Sequence, residues 1–336
     1  MSPGASPDRG SNAIRFVGCE AAVAPLGVGT WSWGDQDTWG MGGYDATLTE
    51  ASIEQAWEAS IAAGVTLFDT AEIYGKGESE RIIGKLLAAD PDRKSSVLIA
   101  TKFMPLPHKL RLRTAMRDAV LGSLERLGIE CIDLYQIHGP ISLRTHAAMA
   151  DALATIHAEG LIRAVGVSNY SVREMSSIQA ALAARGLSLA SNQIEFSPLR
   201  RMPETTGLLQ ACRELAVIPL AYSPIGQGRL SGKYSAADPP PGKRTFSAHP
   251  MEEIDKIVAK LRSIGLANEG RTPSQVALQW IIAKGAVPIP GAKNAAQATE
   301  NAGALGWRLG ADEIAAIDAV ALPGQRSLQH RIWQHG

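Results

Sequence analysis

Four side chains in this sequence carry proton chemistry, and each stands where an apolar strand is predicted to end: Asp69, Tyr74, Lys102 and His138. Val65, Leu67 and Phe68 read as a short buried strand that Asp69 closes. Tyr74 follows in the loop, where Gly75 and Gly77 allow a sharp turn. The run Val97–Thr101 leads to Lys102, and Ile132–Ile137 leads to His138. A tyrosine phenol has a reference pKa near ~10 and is a reluctant acid at neutral pH. A neighbouring ammonium stabilises the phenolate, and a carboxylate can hold that ammonium in place. Lys102 and Asp69 suit those roles, and His138 can donate a second hydrogen bond to a substrate oxygen. Such a set fits protonation of an alkoxide that forms as hydride reaches a carbonyl carbon. It fits acyl transfer less well, because no serine or cysteine nucleophile stands beside a base. Singly, each residue has an ordinary explanation: a loop cap, a rim aromatic, a surface charge, a polar group at a barrel mouth. Their common placement at strand ends is what points to a site.

The elements that must position them recur about every 30 residues, each apolar run being followed by a helical pattern, the rhythm of repeated βα units. The strand-like runs are Pro25–Thr30, Thr66–Thr70, Val97–Thr101, Ile132–His138, Ile162–Ser168, Ser191–Phe196, Val217–Ser223 and Ala286–Pro290, eight in all. Helical stretches are expected at Thr49–Ala63, Ser79–Ala89, Leu112–Leu127, Leu143–Ala158, Val172–Arg185 and Glu204–Leu215. Ser274–Ala283, Asn294–Ala302 and Ala311–Ala319 complete the pattern, and Asn12–Val23 reads as a short hairpin before the first strand. Eight parallel strands with alternating helices close into a single-domain (β/α)8 TIM barrel whose chemistry lies at the C-terminal strand ends. An open doubly wound sheet would normally carry GxGxxG after its first strand. Gly27-Val28-Gly29 lacks the third glycine, as does Gly226-Gln227-Gly228. The barrel is therefore expected over residues 14–336, with residues 1–13 a disordered start. Ser235–Pro250, rich in Pro, Gly, Ser and charge, reads equally as a surface loop or as a flap over a ligand.

With 45% hydrophobic residues among 336, the chain can bury a large core. A formal net charge of zero gives no support to nucleic-acid or membrane-surface binding. Cys19, Cys131 and Cys212 are widely spaced and show no metal-ligand pattern, so a reducing, cytoplasmic setting is expected, with no metal. No apolar run approaches the ~20 residues of a membrane span, and the start lacks the apolar core of a signal peptide.

Asp69-Thr70-Ala71-Glu72-Ile73-Tyr74-Gly75 with Gly77, Ser79 and Glu80, Thr101-Lys102, Gln136-Ile137-His138 and Gly166-Val167-Ser168-Asn169 together resemble the aldo-keto reductases in order and spacing. The match runs from about Leu26 to Trp307. The resemblance implies NADPH-dependent reduction of a small-molecule carbonyl and the tetrad Asp69, Tyr74, Lys102 and His138; a monomer is expected, with an oligomer left open. It implies that Ser168, Asn169 and Gln193 hold the nicotinamide carboxamide and that Tyr222 stacks on the ring. Gly29, Thr30, Trp31 and Asp69 would border the cofactor, and Ser223, Pro224, Ile225, Gly226, Gln227, Gly228 and Lys233 would wrap its pyrophosphate. Pro290, Gly291 and Lys293 would open an anion site at a helix start for the 2′-phosphate. Gln297, Glu300 and Asn301 would contact the adenosine.

Two positions depart from the pattern of many relatives. Gln297 stands where an Arg is common, which implies a weaker preference for NADPH over NADH. Gly139-Pro140 follows His138 where a Trp is common, which implies a larger pocket; Trp31, Trp33 and Trp39 read equally as compensating walls for substrate beside Tyr74 and His138 or as a structural aromatic cluster. Several segments look most like the plant and cyanobacterial branch, some of whose members reduce pyridoxal. Two other functions stay open: a Schiff-base lyase with Lys102 as nucleophile, and a nucleotide-sensing partner subunit with little turnover.

Overall fold

The computed structural model describes residues 13–34, 48–242, 246–324 and 332–336. The segment 1–12, expected to be disordered, and Trp39 lie outside the described residues. Eight strands pair in parallel, each with its neighbour in sequence. They are β1 (Gly27–Gly29), β2 (Leu67–Asp69), β3 (Leu98–Phe103), β4 (Ile132–Ile137), β5 (Ile162–Ser168), β6 (Leu189–Glu195), β7 (Ile218–Tyr222) and β8 (Val287–Pro288). A parallel bridge between Gly29 and Gly291 closes the ring, with the Gly29 N–H donating to the Pro290 carbonyl at 3.0 Å.

The helices are α1 (Glu50–Ala62), α2 (Glu78–Ala89), α3 (Leu112–Leu127), α4 (His146–Ala158), α5 (Val172–Ala183), α6 (Met202–Thr205), α7 (Leu208–Glu214), α8 (Met251–Ala267), α9 (Pro273–Ala283), α10 (Ala295–Ala302) and α11 (Ala311–Asp318). Side-chain caps start several of them: Thr49, Ser171 and Thr272 each form a capping box. The helix expected at 204–215 is divided, because Gly207 adopts φ 80° between α6 and α7. Helix α8 is an addition to the expected pattern; its buried Ile254, Ile257, Val258, Leu261 and Ile264 follow helical spacing.

Alternate strand residues divide between two apolar cores. Phe68, Ile99, Tyr135 and Val167 face the helices, whereas Leu67, Leu98, Ala100, Leu134, Ala164, Leu220 and Val287 fill the barrel interior. The expected hairpin forms the floor of that interior. Ile14 and Val23 exchange backbone hydrogen bonds of 2.8 Å in both directions, and Phe16 joins the interior cluster fully buried. At the hairpin turn, Gly18 has φ 92°, and a Cβ there would stand 2.6 Å from the Arg163 carbonyl oxygen.

The floor should be a large contributor to stability. Phe16→Ala is expected to cost about 3–5 kcal/mol by leaving a cavity under the barrel. Urea denaturation checks this, and a loss below about 1 kcal/mol would show that the barrel closes without its plug.

Candidate active site

Moving two residues along an inward-facing strand position changes the barrel interior from apolar to polar. Asp69 follows Leu67, Lys102 follows Ala100, and Gln136 follows Leu134. The Lys102 Nζ, fully buried, donates to Asp69 Oδ1 at 2.5 Å, to the Thr70 carbonyl at 2.7 Å and to the Tyr74 hydroxyl at 3.3 Å. It also lies 4.9 Å from the Tyr74 ring centroid. Asp69 Oδ2 accepts from Gln136 Nε2 at 3.0 Å and from Gln193 Nε2 at 2.8 Å. Gln136 has room because Gly166 lacks a side chain; a Cβ there would stand 2.3 Å from Ser191 Oγ and 2.7 Å from Gln136 Cγ. His138 begins the loop after β4, its ring 5.7 Å from that of Tyr74. Burial lowers the Lys102 pKa, opposed by Asp69. Burial, and then the Lys102 charge, push His138 well below its ordinary value, so it is neutral at physiological pH. Its Nδ1 is buried without a hydrogen-bond partner among the described residues.

The loop that presents Tyr74 is held by the other members of its motif. Thr70 Oγ1 donates to Ser79 Oγ at 2.8 Å, Ser79 Oγ donates to the Thr30 carbonyl at 3.0 Å, and Thr30 Oγ1 donates to the Asp69 carbonyl at 3.0 Å. Glu80, fully buried, accepts from Thr101 Oγ1 and from Arg126 Nε, both at 2.6 Å. Glu72 accepts from the Met104 N–H at 2.7 Å. Between these anchors Gly75, Lys76 and Gly77 all take positive φ, which turns the chain back into α2 directly after the phenol.

Around this centre, the remaining expected positions lie at the same end of the barrel. Ser168 Oγ donates to the Gln193 carbonyl at 3.0 Å and accepts from Asn169 Nδ2 at 3.1 Å. Gln193 Nε2 is committed to Asp69, which leaves its Oε1 as the group that could accept from a ligand amide. The Tyr222 hydroxyl donates to Asn169 Oδ1 at 2.9 Å. After Tyr222, Ser223, Gly226, Gln227 and Gly228 all have positive φ, and buried Pro224 and half-buried Ile225 complete a tight double turn. Lys233 is exposed beyond it. Across the closing seam, Asn294 caps α10 by accepting from the Gln297 N–H at 3.0 Å. Gln297 Oε1 in turn accepts from the Lys293 N–H at 2.9 Å, so this side chain braces the loop. Asn301 Nδ2 donates to the Gly291 carbonyl at 3.2 Å, and Glu300 is half-buried on the same helix.

The structure divides the tryptophans between the two readings. Trp31 lies 6.5 Å from the Tyr74 ring, at the mouth. Trp33 is a core residue, not a pocket wall: it is fully buried, its indole donates to the Ala292 carbonyl at 2.8 Å, and it packs on Phe68. The indole beside Gly139 is instead Trp333, from the far end of the chain. A Cβ on Gly139 would stand 2.9 Å from that ring, which lies 5.5 Å from the His138 ring. Gln136, Trp333 and the neighbouring Gln334 were absent from the expected set. Gln136 was detectable as a polar residue at an inward position of an apolar strand, whereas nothing local marks 332–336 as returning to the mouth.

The Aldo/keto reductase family model matches residues 25–322. The chain belongs to this family. Among curated aldo/keto reductase relatives, the chloroplastic pyridoxal reductase of Arabidopsis thaliana is 36% identical over 326 residues, covering 93% of this chain and 87% of its own. The solved glycerol dehydrogenase of Gluconobacter oxydans has a TM-score of 0.79 at 26% identity, covering 95% of this chain and 98% of its own. An aldo/keto reductase of Klebsiella pneumoniae, solved in complex with NADPH, has a TM-score of 0.71 at 28% identity, covering 94% and 96%. Membership agrees with the ordered motifs and with the barrel; among the described residues no helix is long and apolar enough to cross a membrane.

The buried imidazole of this aldo/keto reductase should mark its acid stability. Folding holds His138 well below its ordinary 6.5, so below about that pH the unfolded chain binds a proton that the folded one refuses. Its contribution is therefore complete above 6.5 and is lost as pH falls. Between pH ~6.5 and ~5, wild type should lose up to about 1.4 kcal/mol per pH unit more than His138→Gln. Urea midpoints at each pH measure this, and parallel curves for the two proteins would contradict a neutral His138.

Proposed function

We propose that the protein reduces an aldehyde or ketone to an alcohol with NADPH, and that Tyr74 is the general acid. The observation that carries this reading is Lys102, whose ammonium joins the Asp69 carboxylate and the Tyr74 phenol inside the barrel mouth. Bound NADPH would supply the hydride to the carbonyl carbon. Tyr74 gives its proton to the oxygen of the substrate as that oxygen gains charge, and the resulting phenolate remains beside the Lys102 ammonium. Asp69 fixes the ammonium, while Gln136 and Gln193 hold the second carboxylate oxygen and keep Asp69 from turning away. Neutral His138 donates to the same substrate oxygen and orients the carbonyl.

The mouth suits such a cofactor. Gln193 Oε1, Ser168 and Asn169 would hold the carboxamide, and Tyr222 would offer a ring face to the nicotinamide. The turn at 223–228, with Ser223, Gly226, Gln227 and Gly228 at positive φ, would let the backbone approach phosphate oxygens closely. Lys293 and the start of α10 would take the 2′-phosphate, with Gly29, Thr30, Trp31, Lys233, Pro290, Gly291, Glu300 and Asn301 bordering the groove. Gln297 braces Lys293 through its backbone, and in that pose its amide faces the loop. NADPH is the choice supported by the Klebsiella relative's complex. The likeness to a pyridoxal reductase makes a pyridine aldehyde the first substrate to assay. A Schiff-base lyase is disfavoured, because all three Lys102 donors are engaged and the amine lacks a lone pair for attack.

Tyr74→Phe should lower carbonyl reduction about 10²–10⁴-fold while NADPH affinity stays within about twofold. Single-turnover rates over a panel of carbonyl compounds check the first part, and fluorescence titration the second. Wild-type turnover in the variant would refute the general-acid assignment.

Lys293→Ala should weaken NADPH about 10–100-fold and NADH hardly at all, because only NADPH carries the 2′-phosphate. Titration of both cofactors decides, and equal losses would remove Lys293 from that role.

A further inference from the structure

Two segments distant in sequence cover the barrel mouth, and both are fastened to one buried carboxylate. The first cover is residues 246–249, in the irregular stretch after β7. Phe246 packs edge-on against Trp31, with centroids 5.9 Å apart, and against Tyr222 at 5.6 Å. Its backbone is gripped from below: buried Arg229 donates to the Phe246 carbonyl and, at 2.7 Å, to the Ser247 carbonyl. The second cover is residues 332–336. Trp333 stands over Gly139 beside His138, and the His335 N–H donates to the Asn169 carbonyl at 3.1 Å.

Glu195, the last residue of β6 and 2% exposed, meets both. Its Oε1 accepts from Ser247 Oγ at 2.5 Å, and its Oε2 accepts from Gln334 Nε2 at 2.6 Å. Arg200 supplies the counter-charge, with Nε 3.7 Å from Oε2. The second hydrogen of the Gln334 amide goes to the Tyr222 hydroxyl at 2.7 Å, and that hydroxyl gives its own hydrogen to Asn169. The hydrogen bonds therefore run in one direction, from the tail through Tyr222 to Asn169. No other arrangement of the Gln334 amide keeps both the Tyr222 and the Glu195 contacts, because both acceptors need the nitrogen.

We propose that Glu195 is a positioning residue that latches the 246–249 strap and the 332–336 tail together, so that the two covers close over the cofactor and substrate as one unit. A buried carboxylate is costly to leave short of donors. When one cover lifts, Glu195 loses a charge-assisted hydrogen bond and admits water, which weakens its hold on the other. The tail carries Trp333 to the His138 side, and the strap carries Phe246 to the Trp31 side. One acceptor thus links the substrate wall to the cofactor cover. That the covered ligands are NADPH and a carbonyl compound rests on the function proposed above; the latch itself does not.

Hydrogen–deuterium exchange on the nucleotide-free protein tests the latch without that function. Glu195→Gln should speed amide exchange in both 246–249 and 332–336 severalfold, about the loss of charge assistance at each contact, because the neutral amide keeps one acceptor in place of two. Exchange in β5 and β7 should stay within about twofold, which a general destabilisation of the barrel would not allow. Ser247→Ala and Gln334→Leu each remove one donor to the carboxylate and leave it in place, so they report even where the Glu195 variant folds poorly; Ser247→Ala does so without touching Tyr222. Each should loosen the opposite cover as well as its own. Loosening confined to the mutated segment, or no change in either segment, overturns the proposal. NADPH release, followed by stopped-flow fluorescence, should quicken in all three variants. Failure of the wild type to bind NADPH would refute the cofactor assignment, while the exchange data would still decide the latch.

Discussion

The buried pair of Lys102 and Asp69 is the constraint around which the rest of the molecule is arranged. Taking an ammonium and a carboxylate out of water costs about several kcal/mol each even after relaxation, and their attraction offsets this only with good geometry and full hydrogen bonding. Here the carboxylate receives Lys102 from β3, Gln136 from β4 and Gln193 from β6. The ammonium is shared among Asp69, the Thr70 carbonyl and the Tyr74 hydroxyl. Four strands must therefore be in register before either charge is satisfied. A barrel provides that, because its strands are fixed in order and level around a packed interior. The apolar layer of Leu67, Leu98, Leu134 and Leu220 lies below, and the polar layer rests on it.

Much of the motif around Tyr74 serves placement. Thr70, Ser79 and Thr30 tie the loop to β1, and Glu80 ties α2 to β3 and α3 through Thr101 and Arg126. Another ion pair, buried Glu80 with half-buried Arg126, thus supports the first from outside the barrel. The phenol emerges from a turn whose left-handed residues leave it little freedom. A phenol held in one place has little conformational entropy left to lose when it meets a partner.

At the mouth, aromatic rings form a near-continuous rim: Tyr222, Phe246, Trp31, Tyr74, His138 and Trp333 each adjoin the next or share a neighbour. A rim of this kind lowers the local dielectric and strengthens the Lys102 charge at the phenol. It is assembled from six separate parts of the chain: three barrel loops, the end of β7, the strap and the tail.

The barrel, and the gathering of Asp69, Tyr74, Lys102 and His138 at one end of it, were legible in the residues themselves. Each βα unit carries a local signature, an apolar run and then a helical period, and the four proton-handling residues fall where those runs end. Even α8 had its signal, in Ile254, Ile257, Val258, Leu261 and Ile264, although the polar stretch before it drew attention to loop structure. Tertiary structure decided what depends on contacts between remote segments. Trp33 looked like a pocket residue by proximity to β1, yet the path of its loop sends it into the core against Phe68 and the Ala292 carbonyl. Gln193 looked like a ligand group alone, yet it also holds Asp69, 124 residues away. Trp333 and Gln334 carry no periodicity that announces their destination. Their place is set by a gap over Gly139 and by two acceptors, Glu195 and Tyr222, that come together only when the barrel closes. Local patterns record local energetics, whereas the match between a tail and a cavity is a property of the folded surface and is absent from either segment alone.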